Sequence, residues 1–120
     1  MSEFKRHNFK RLKIWQMAME LAKIIFDTTT AFPSSEQFGL ITQMNKCAVS
    51  MPSNIAEGSS RTNKSFSHFL DITLGSSFEV QTQILLANAK GYITDELATE
   101  IEIKLEEFQK ATMSFQNTLN

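Results

Sequence analysis

Apolar residues recur with the 3.6-residue period of an α-helix along almost all of this 120-residue chain, and this period constrains the fold most strongly. The alternation of apolar and polar residues that marks a half-buried strand is scarce. The period predicts four helices with short connections, in an all-α, antiparallel, up-down-up-down four-helix bundle. We expect residues 1–11 to form a basic N-terminal arm and residues 12–120 to form the bundle. The predicted helices run from about Leu12 to Thr30, Ser34 to Gly58, Asn63 to Lys90, and Thr94 to about Leu119.

Local signals mark where these helices begin and end. Ser34 and Gln37 have the spacing of a capping box just after Pro33, and Thr94 is a suitable N-cap for the last helix. Gly58 is predicted to end the second helix, because glycine tolerates a positive φ. In the third helix the predicted core row is Phe66, Leu70, Thr73, Ser77, Val80, Ile84 and Ala87. In the second helix the row is Leu40, Met44, Cys47, Met51 and Ile55, and in the fourth it is Leu97, Ile101, Leu105, Phe108, Thr112, Phe115 and Leu119.

The first helix has more apolar surface than one bundle can bury. Its polar residues share a narrow arc, which leaves an apolar arc of about 220°, whereas packing on one core needs about 100°. The excess predicts that this helix also contacts another subunit. The candidate interface residues are Ile14, Trp15, Met17, Leu21 and Ile24.

Pro52 lies within the predicted second helix, although a proline inside a helix costs about 3 kcal/mol because it deletes a hydrogen bond and clashes with the preceding turn. We therefore expect a structural motif around it. In this interpretation Asn54 or Glu57 satisfies the backbone groups that Pro52 frees, and Gly58 turns the chain. The small residues Gly75, Ser76 and Ser77 within the third helix predict a close approach of two helices, since glycine is unfavourable there by up to about 1 kcal/mol relative to alanine and small side chains let backbones come close.

The net charge of −1 conceals an asymmetry between the two parts of the chain. Residues 1–64 contain nine Lys and Arg against five Asp and Glu, whereas residues 65–120 contain three against eight. Such a distribution can steer a nucleic acid to one end of the protein or pair neighbouring subunits, and two solvated faces are the alternative. Phe4, Phe9 and Trp15 lie among the N-terminal cations, a mixture that suits RNA, although Trp15 is better explained by core packing. The candidate nucleic-acid contacts are Lys5, Arg6, Lys10, Arg11 and Lys13.

Several classes of chemistry lack their sequence signatures. The two histidines, His7 and His68, do not belong to Glu-x-x-His pairs or to a zinc motif, and the four glycines form no phosphate loop. We therefore expect no metal, no cofactor, no small-molecule substrate and no enzymatic activity. The single cysteine, Cys47, is interpreted as a buried, inert thiol. The absence of a long apolar run or secretory leader predicts a cytoplasmic protein without a membrane span.

One spacing suggests a remote alternative. Arg61 and His68 form an Arg-x6-His arrangement that resembles that of the HEPN superfamily of RNA-cutting helical domains. His68 would act as acid or base on a ribose hydroxyl while Arg61 holds the phosphate. The spacing is unspecific, and a structural role for His68 near Asp71, its i+3 neighbour, is the more economical interpretation.

Several blocks resemble a bacterial family of four-helix bundle proteins first found as reading frames within intervening sequences of 23S ribosomal RNA. The opening block LKIWQMAM at 12–19 is similar to the family signature LxxWQxAM, and AVSMPSNIAEG at 48–58 is similar to its most diagnostic block. The resemblance covers about residues 12–95. The remaining matching residues are Phe32-Pro33, Phe38-Gly39-Leu40, Gln43, Arg61, Phe69-Leu70, Gly75-Ser76, Glu79, Gln83-Ile84-Leu85 and Gly91-Tyr92-Ile93.

The resemblance implies four antiparallel helices and a ring-shaped homopentamer. The family includes the accessory proteins of diversity-generating retroelements, which implies a reverse transcriptase and structured RNA as partners. Two functions follow as hypotheses. The first is an oligomeric scaffold that contacts RNA or a nucleic-acid enzyme through its basic end, and the second is a structural homo-oligomer with a purely protein partner.

Overall fold

The computed structural model describes residues 7–120, and these residues form four helices. A short 3-10 turn at Phe9–Arg11 precedes helices α1 (Lys13–Thr29), α2 (Thr42–Ser59), α3 (Asn63–Ala89) and α4 (Asp95–Asn117). Each helix packs on the next along the chain, and α1 also packs on α4, which closes the bundle. No strand occurs within the described residues. The predicted all-α four-helix fold is confirmed.

Side-chain contacts between neighbouring helices show an antiparallel arrangement. In two pairs of helices, the partner's residue number falls as the residue number rises. The contacting pairs are Cys47 with Glu79 and Ser50 with Ser76 between α2 and α3, and Gln81 with Gln109 and Ser67 with Gln116 between α3 and α4. Thr29 at the end of α1 donates to Asn45 near the start of α2, so α2 runs back along α1.

The core is filled by apolar residues from every helix, as the helical period predicts. All seven residues of the row predicted for α3 are buried. In the row predicted for the fourth helix, Ile101, Leu105, Phe108, Thr112 and Leu119 are buried, while Leu97 and Phe115 are partly buried. In the row predicted for the second helix, Met44, Met51 and Ile55 are buried, while Cys47 and Leu40, which precedes α2, are partly buried. The buried thiol predicted for Cys47 is therefore corrected to a partly exposed one.

The second helix begins eight residues later than predicted. Ser34–Glu36 form a 3-10 turn, and Gln37–Ile41 form an irregular turn in which Gly39 has the non-helical angles φ −115° and ψ −107°. Pro33 is the N-cap residue of this 3-10 turn, and no side chain makes a capping hydrogen bond to it. The capping box was wrong because Gly39 breaks the helix between Ser34 and Thr42. In contrast, Thr94 caps α4 as predicted, its Oγ1 accepting from Leu97 N at 3.1 Å.

Gly58 has a different role from the predicted one. Within the described residues only Gly91 has a positive φ, and Gly58 is a buried residue of the last turn of α2. A Cβ atom at position 58 would lie 2.7 Å from Phe66 Cδ1 and 2.8 Å from Phe69 Cβ. Glycine is required there because α3 crosses α2 closely, and its conformational freedom is not used.

Candidate nucleic-acid interface

The segment that leads into α1 packs against the end of the bundle. Asn8 Oδ1 accepts from Lys10 N at 3.3 Å and starts the short 3-10 turn. The Phe9 ring meets the Trp15 ring edge-on, with 5.3 Å between centroids. The His7 ring lies edge-on between Phe66 of α3 and Phe115 of α4. Residues 7–11 are therefore fixed on the bundle by aromatic contacts.

Three segments bring basic residues to this end of the molecule. The start of α1, the turn from α2 to α3 and the first turn of α3 lie together because the helices are antiparallel, and His7 N donates to Ser59 O at 3.3 Å across them. We call this region the basic end, and all five of its cations are exposed. They are Lys10, Arg11, Lys13, Arg61 and Lys64. The other two predicted contacts, Lys5 and Arg6, lie outside the described residues.

Sequence reasoning missed Arg61 and Lys64 as members of this surface. They lie about 50 residues after the N-terminal cations, so no charge run reveals them. The signal that could have identified them is the predicted topology. In an antiparallel bundle the turn between the second and third helices lies at the same end as the start of the first helix.

Arg61 is held by two neighbours. Its Nη2 donates to Glu57 Oε2 at 2.8 Å, and its guanidinium carbon lies 5.1 Å from the centroid of the Phe69 ring. His68 is exposed and meets the same Phe69 ring edge-on at 6.1 Å. Asp71, the neighbour predicted for His68, instead accepts from Gln116 Nε2 at 2.7 Å. The guanidinium proposed to hold phosphate in the nuclease hypothesis is thus already paired with a carboxylate.

The opposite end of the bundle is acidic. Its carboxylates come from the end of α1, the connection to α2 and the start of α4, and we call this region the acidic end: Asp27, Glu36, Asp95 and Glu96. Tyr92 Oη donates to Glu36 Oε2 at 2.6 Å, and Lys90 Nζ lies 3.7 Å from the same oxygen. The bond from Tyr92 lowers the pKa of Glu36, and the same bond raises the pKa of Tyr92. Cations therefore collect at one end of the bundle and carboxylates at the other, and the acidic end takes Asp27 and Glu36 from the part of the chain that is basic in sequence.

The Pro52 motif lies within α2. Pro52 is buried, and the helix continues through it to Ser59. Asn54 Nδ2 donates to Ser50 O at 2.8 Å and to Ser50 Oγ at 3.0 Å, and Ser50 Oγ lies 2.7 Å from Ser76 Oγ of α3. Asn54 thus bonds to the carbonyl of Ser50, whereas the carbonyl that Pro52 deprives of its usual donor is that of Ala48. Glu57 is exposed and pairs with Arg61, so the predicted backbone role of Glu57 was wrong.

The five residues predicted for a subunit interface lie in two environments. Ile14 and Leu21 are buried in the bundle core, so their prediction as contacts to another subunit was wrong. Leu21 lies beside Lys104 and Glu107 of α4. Trp15, Met17 and Ile24 are partly buried. Two residues that were not singled out, Met19 and Phe26, are about 40% exposed on the same helix.

An apolar hollow of about 320 Å³ lies between α1 and α2 on the outside of the bundle. We call it the α1/α2 groove. Its lining includes the buried residues Ala22 and Pro52. Trp15, Met19, Phe26 and Val49 line its walls. Trp15 therefore both packs on the core and lines a surface hollow.

A second apolar surface follows the outer side of α3. Four large apolar side chains of this helix are between 40% and 53% exposed. We call them the α3 ridge: Ile72, Phe78, Leu85 and Leu86. Gly75 lies among them, and a Cβ added there would meet no atom within 4 Å. The predicted close approach of two helices occurs at the neighbouring Ser76, whose Oγ lies 2.7 Å from Ser50 Oγ of α2, and Gly75 itself faces away from the bundle.

Cys47 contacts two polar side chains of α3. Cys47 Sγ lies 3.6 Å from Glu79 Oε2 and 3.6 Å from Gln83 Nε2, and burial raises the pKa of this thiol. Within residues 7–120, His, Cys, Asp and Glu side chains do not gather in threes as they would around a metal ion. None of the helices in the described part of the chain has the length and apolarity needed to cross a bilayer.

Comparisons with known proteins identify the family. A family model described as 23S rRNA-intervening sequence protein matches residues 10–114. The chain has the same fold as a crystal structure from Bacteroides thetaiotaomicron, described as a protein with unknown function from the S23 ribosomal protein family. The TM-score is 0.75 and the identity 22%, over 86% of this chain and 90% of that one. No curated protein sequence matches. Because the family model spans most of its length, the chain belongs to the 23S rRNA-intervening sequence protein family.

Proposed function

We propose that this family member is a non-enzymatic, self-associating protein that contacts structured RNA through its basic end. One observation carries the proposal: cations from three separate segments meet at one end of the bundle, while the opposite end is acidic. Lys and Arg neutralise phosphates, and this term is independent of sequence and dominates the affinity of nonspecific nucleic-acid binding. A protein with a net charge of −1 can therefore present a cationic surface to RNA.

Self-association would multiply this surface. Copies arranged with their basic ends on the same side would present several sets of the five cations to one RNA. The family resemblance suggests five copies in a ring. The avidity of such an assembly exceeds that of one weakly charged chain because each further contact is intramolecular.

The structure determines how the proposal is best tested. Deletion of residues 1–11 would remove the contacts of His7 and Phe9 with the bundle as well as the charges. Point substitutions are cleaner, because Lys10 and Lys64 are exposed and belong to two different segments of the basic end. A double substitution, Lys10→Ala with Lys64→Ala, is compared with Lys90→Ala with Lys104→Ala, which removes the same charge elsewhere.

The measurement is a titration of a hairpin RNA over a range of salt concentrations. We expect the wild-type affinity to fall with salt, and the basic-end variant to flatten the log–log slope by about 0.9 per lost duplex phosphate contact, or about 0.7 for a single strand. The control variant should keep the wild-type slope. Equal loss in both variants, or wild-type affinity no better than that of an acidic control protein, would contradict the proposal.

A protein partner is the second candidate function. Phe38 is 93% exposed on the irregular turn before α2, at the acidic end. Exposed aromatic side chains are frequent anchors in protein interfaces. A basic protein, such as the reverse transcriptase that the family resemblance suggests, would fit this end by charge. Binding that survives the basic-end substitutions and is lost with Phe38→Ala would favour this candidate.

A further inference from the structure

We infer that a hollow at the acidic end binds an arginine side chain from a cationic segment of a partner protein. The inference rests on the second candidate function and deepens it, because it names the side chain that the partner supplies and the residues that receive it. It depends neither on RNA binding nor on self-association.

The hollow lies between the end of α1 and the turn from α3 to α4, and its volume is about 580 Å³. We call it the acidic-end hollow. Asp27 and Ala31 line one side of it, and Tyr92, Ile93 and Leu97 line the other. Sites that bind ligands in proteins commonly have volumes of about 300–1,000 Å³. The acidic-end hollow is therefore large enough to receive a long side chain together with its neighbours.

The walls of the hollow are held in place by contacts inside the bundle. The Tyr92 ring packs on the Phe32 ring with 5.2 Å between centroids, and the Tyr92 hydroxyl is bonded to Glu36. Asn88 Nδ2 donates to Ile93 O at 3.2 Å, which fixes the turn between α3 and α4. Because these walls are already ordered, binding loses little conformational entropy in this protein.

The lining suits a guanidinium group on an aliphatic stem. Ile93 and Leu97 offer apolar contact to the stem, and the Tyr92 ring offers an aromatic surface, on which arginine packs more often than lysine. Asp27 supplies an exposed carboxylate, and no Lys or Arg in the described part of the chain forms an ion pair with it. Lys23, one turn earlier, lines the α1/α2 groove instead. The Asp27 carboxylate can therefore accept two hydrogen bonds from a guanidinium.

The surroundings of the hollow favour a cationic protein segment over RNA. Glu36, Asp95 and Glu96 lie at the same end, where they repel phosphates and attract further Lys or Arg side chains of a partner. Phe38, which is 93% exposed, adds an aromatic side chain to this end. Arginine and aromatic residues are enriched among the side chains that dominate protein interfaces. A segment that combines arginine with apolar residues therefore matches this end in charge and in polarity.

The test measures the fluorescence anisotropy of a labelled octapeptide in which arginine and leucine alternate. The same peptide with glutamate in place of arginine is the charge control, and the same peptide with lysine in place of arginine tests the guanidinium. Asp27→Asn removes the carboxylate at nearly constant size, and Ala31→Leu fills the hollow without changing the charge. Both positions are exposed, so the fold should survive, and circular dichroism checks this. Glu106→Gln is the matched control, because it removes one exposed carboxylate from α4 outside the hollow.

We expect Asp27→Asn to raise the dissociation constant of the arginine peptide about fivefold, which is the upper range for an ion pair at a surface. Ala31→Leu should raise it about tenfold, as for a side chain excluded from an interface pocket. Glu106→Gln should leave the affinity unchanged. The lysine peptide should bind the wild type more weakly than the arginine peptide, because an ammonium cannot pair with a carboxylate through two parallel bonds.

The outcomes separate the inference from the function on which it rests. An arginine peptide that binds the wild type no better than the glutamate peptide would contradict the second candidate function itself. Binding that is weakened by Phe38→Ala but not by Asp27→Asn or Ala31→Leu would overturn only the inference. Equal losses in Asp27→Asn and Glu106→Gln would mean that the peptide responds to net charge, which also overturns the hollow as its site. A lysine peptide that binds as tightly as the arginine peptide would overturn the assignment of arginine.

Discussion

Gly58 and Gly75 lie in consecutive helices, and their surroundings differ completely. A Cβ at position 58 would collide with Phe66 and Phe69, whereas a Cβ at position 75 would meet nothing within 4 Å. Neither glycine has a positive φ. The first is explained by packing inside one chain, but the second is not. In the proposed self-association, a glycine that the bundle itself does not require would serve a contact outside the bundle.

The largest expected effect comes from Gly58→Ala, which tests whether packing inside one chain requires a glycine at this position. Phe69 Cβ, 2.8 Å from the added methyl group, is attached to the backbone of α3 and cannot rotate away. Overpacking of this kind typically costs about 1–3 kcal/mol, which exceeds the gain in helix propensity. We expect a free energy of unfolding that is lower by this amount, measured by urea denaturation with an unchanged m-value.

A variant as stable as the wild type would show that α3 can shift away from α2 without cost. Ser60→Ala is a suitable control, because Ser60 is exposed two residues further along the chain. Its hydroxyl only donates to Glu57 O within the same turn, so its loss should change stability little.

The Asn54→Ala substitution has a smaller expected effect. It removes the bonds from Nδ2 to Ser50 O and Ser50 Oγ within α2 and leaves the bond between Ser50 Oγ and Ser76 Oγ of α3. A net loss of about 1 kcal/mol is expected for a partly buried hydrogen bond of this type. Ser53→Ala, at an exposed neighbouring position, is the control. Equal melting temperatures for the two variants would mean that the Asn54 amide adds nothing to the motif.

The sequence predicted those features that depend on local periodicity. Phe66, Leu70, Val80 and Ile84 are buried as the period of α3 requires. The start of α2 was wrong because Gly39 adopts non-helical angles inside a stretch whose side chains still follow a helical pattern. The side-chain pattern does not show which backbone angles a glycine adopts.

The candidate site was harder to predict from the sequence than the core, because it depends on contacts between segments that are distant along the chain. Lys10, Arg11 and Lys13 formed a visible run, but Arg61 joins them only through the antiparallel topology. Ile14 and Leu21 were assigned to an interface because the apolar arc of α1 did not reveal which part the bundle covers. Gly58 was read as a helix stop because its neighbour in space, Phe69, is on another helix.

Gly75→Ala tests whether this glycine serves a contact outside the bundle. It should raise the folding stability and weaken self-association. Alanine is the better helix former by up to about 1 kcal/mol, and the open space at position 75 accommodates its methyl group. Urea denaturation at a concentration where the chain is monomeric should show a stabilisation of about 0.5–1 kcal/mol. Sedimentation should show weaker self-association, because the methyl group keeps a second helix further away.

Stabilisation with unchanged assembly would leave Gly75 without a role at an interface. Gly91→Ala is an informative contrast, because Gly91 also has open space around it but a φ of +77°. Alanine is strained at that angle, so the substitution should destabilise the chain. Comparing Gly75→Ala with Gly91→Ala therefore separates the effect of backbone strain from the effect of the space available to the methyl group.

The smallest expected effect on folding is that of Glu57→Ala, which tests whether the exposed side of the Pro52 motif contributes to stability. Glu57 and Arg61 form an i,i+4 pair whose side chains are 55% and 47% exposed, and such pairs contribute about 0.3–0.5 kcal/mol that salt reduces. The unfolding free energy should change by no more than about 0.5 kcal/mol in urea denaturation. RNA affinity should rise, because the substitution removes the carboxylate that pairs with Arg61 at the basic end. A loss above about 1 kcal/mol would show that Glu57 supports the helix around Pro52, and unchanged RNA affinity would indicate that Arg61 does not face the phosphates.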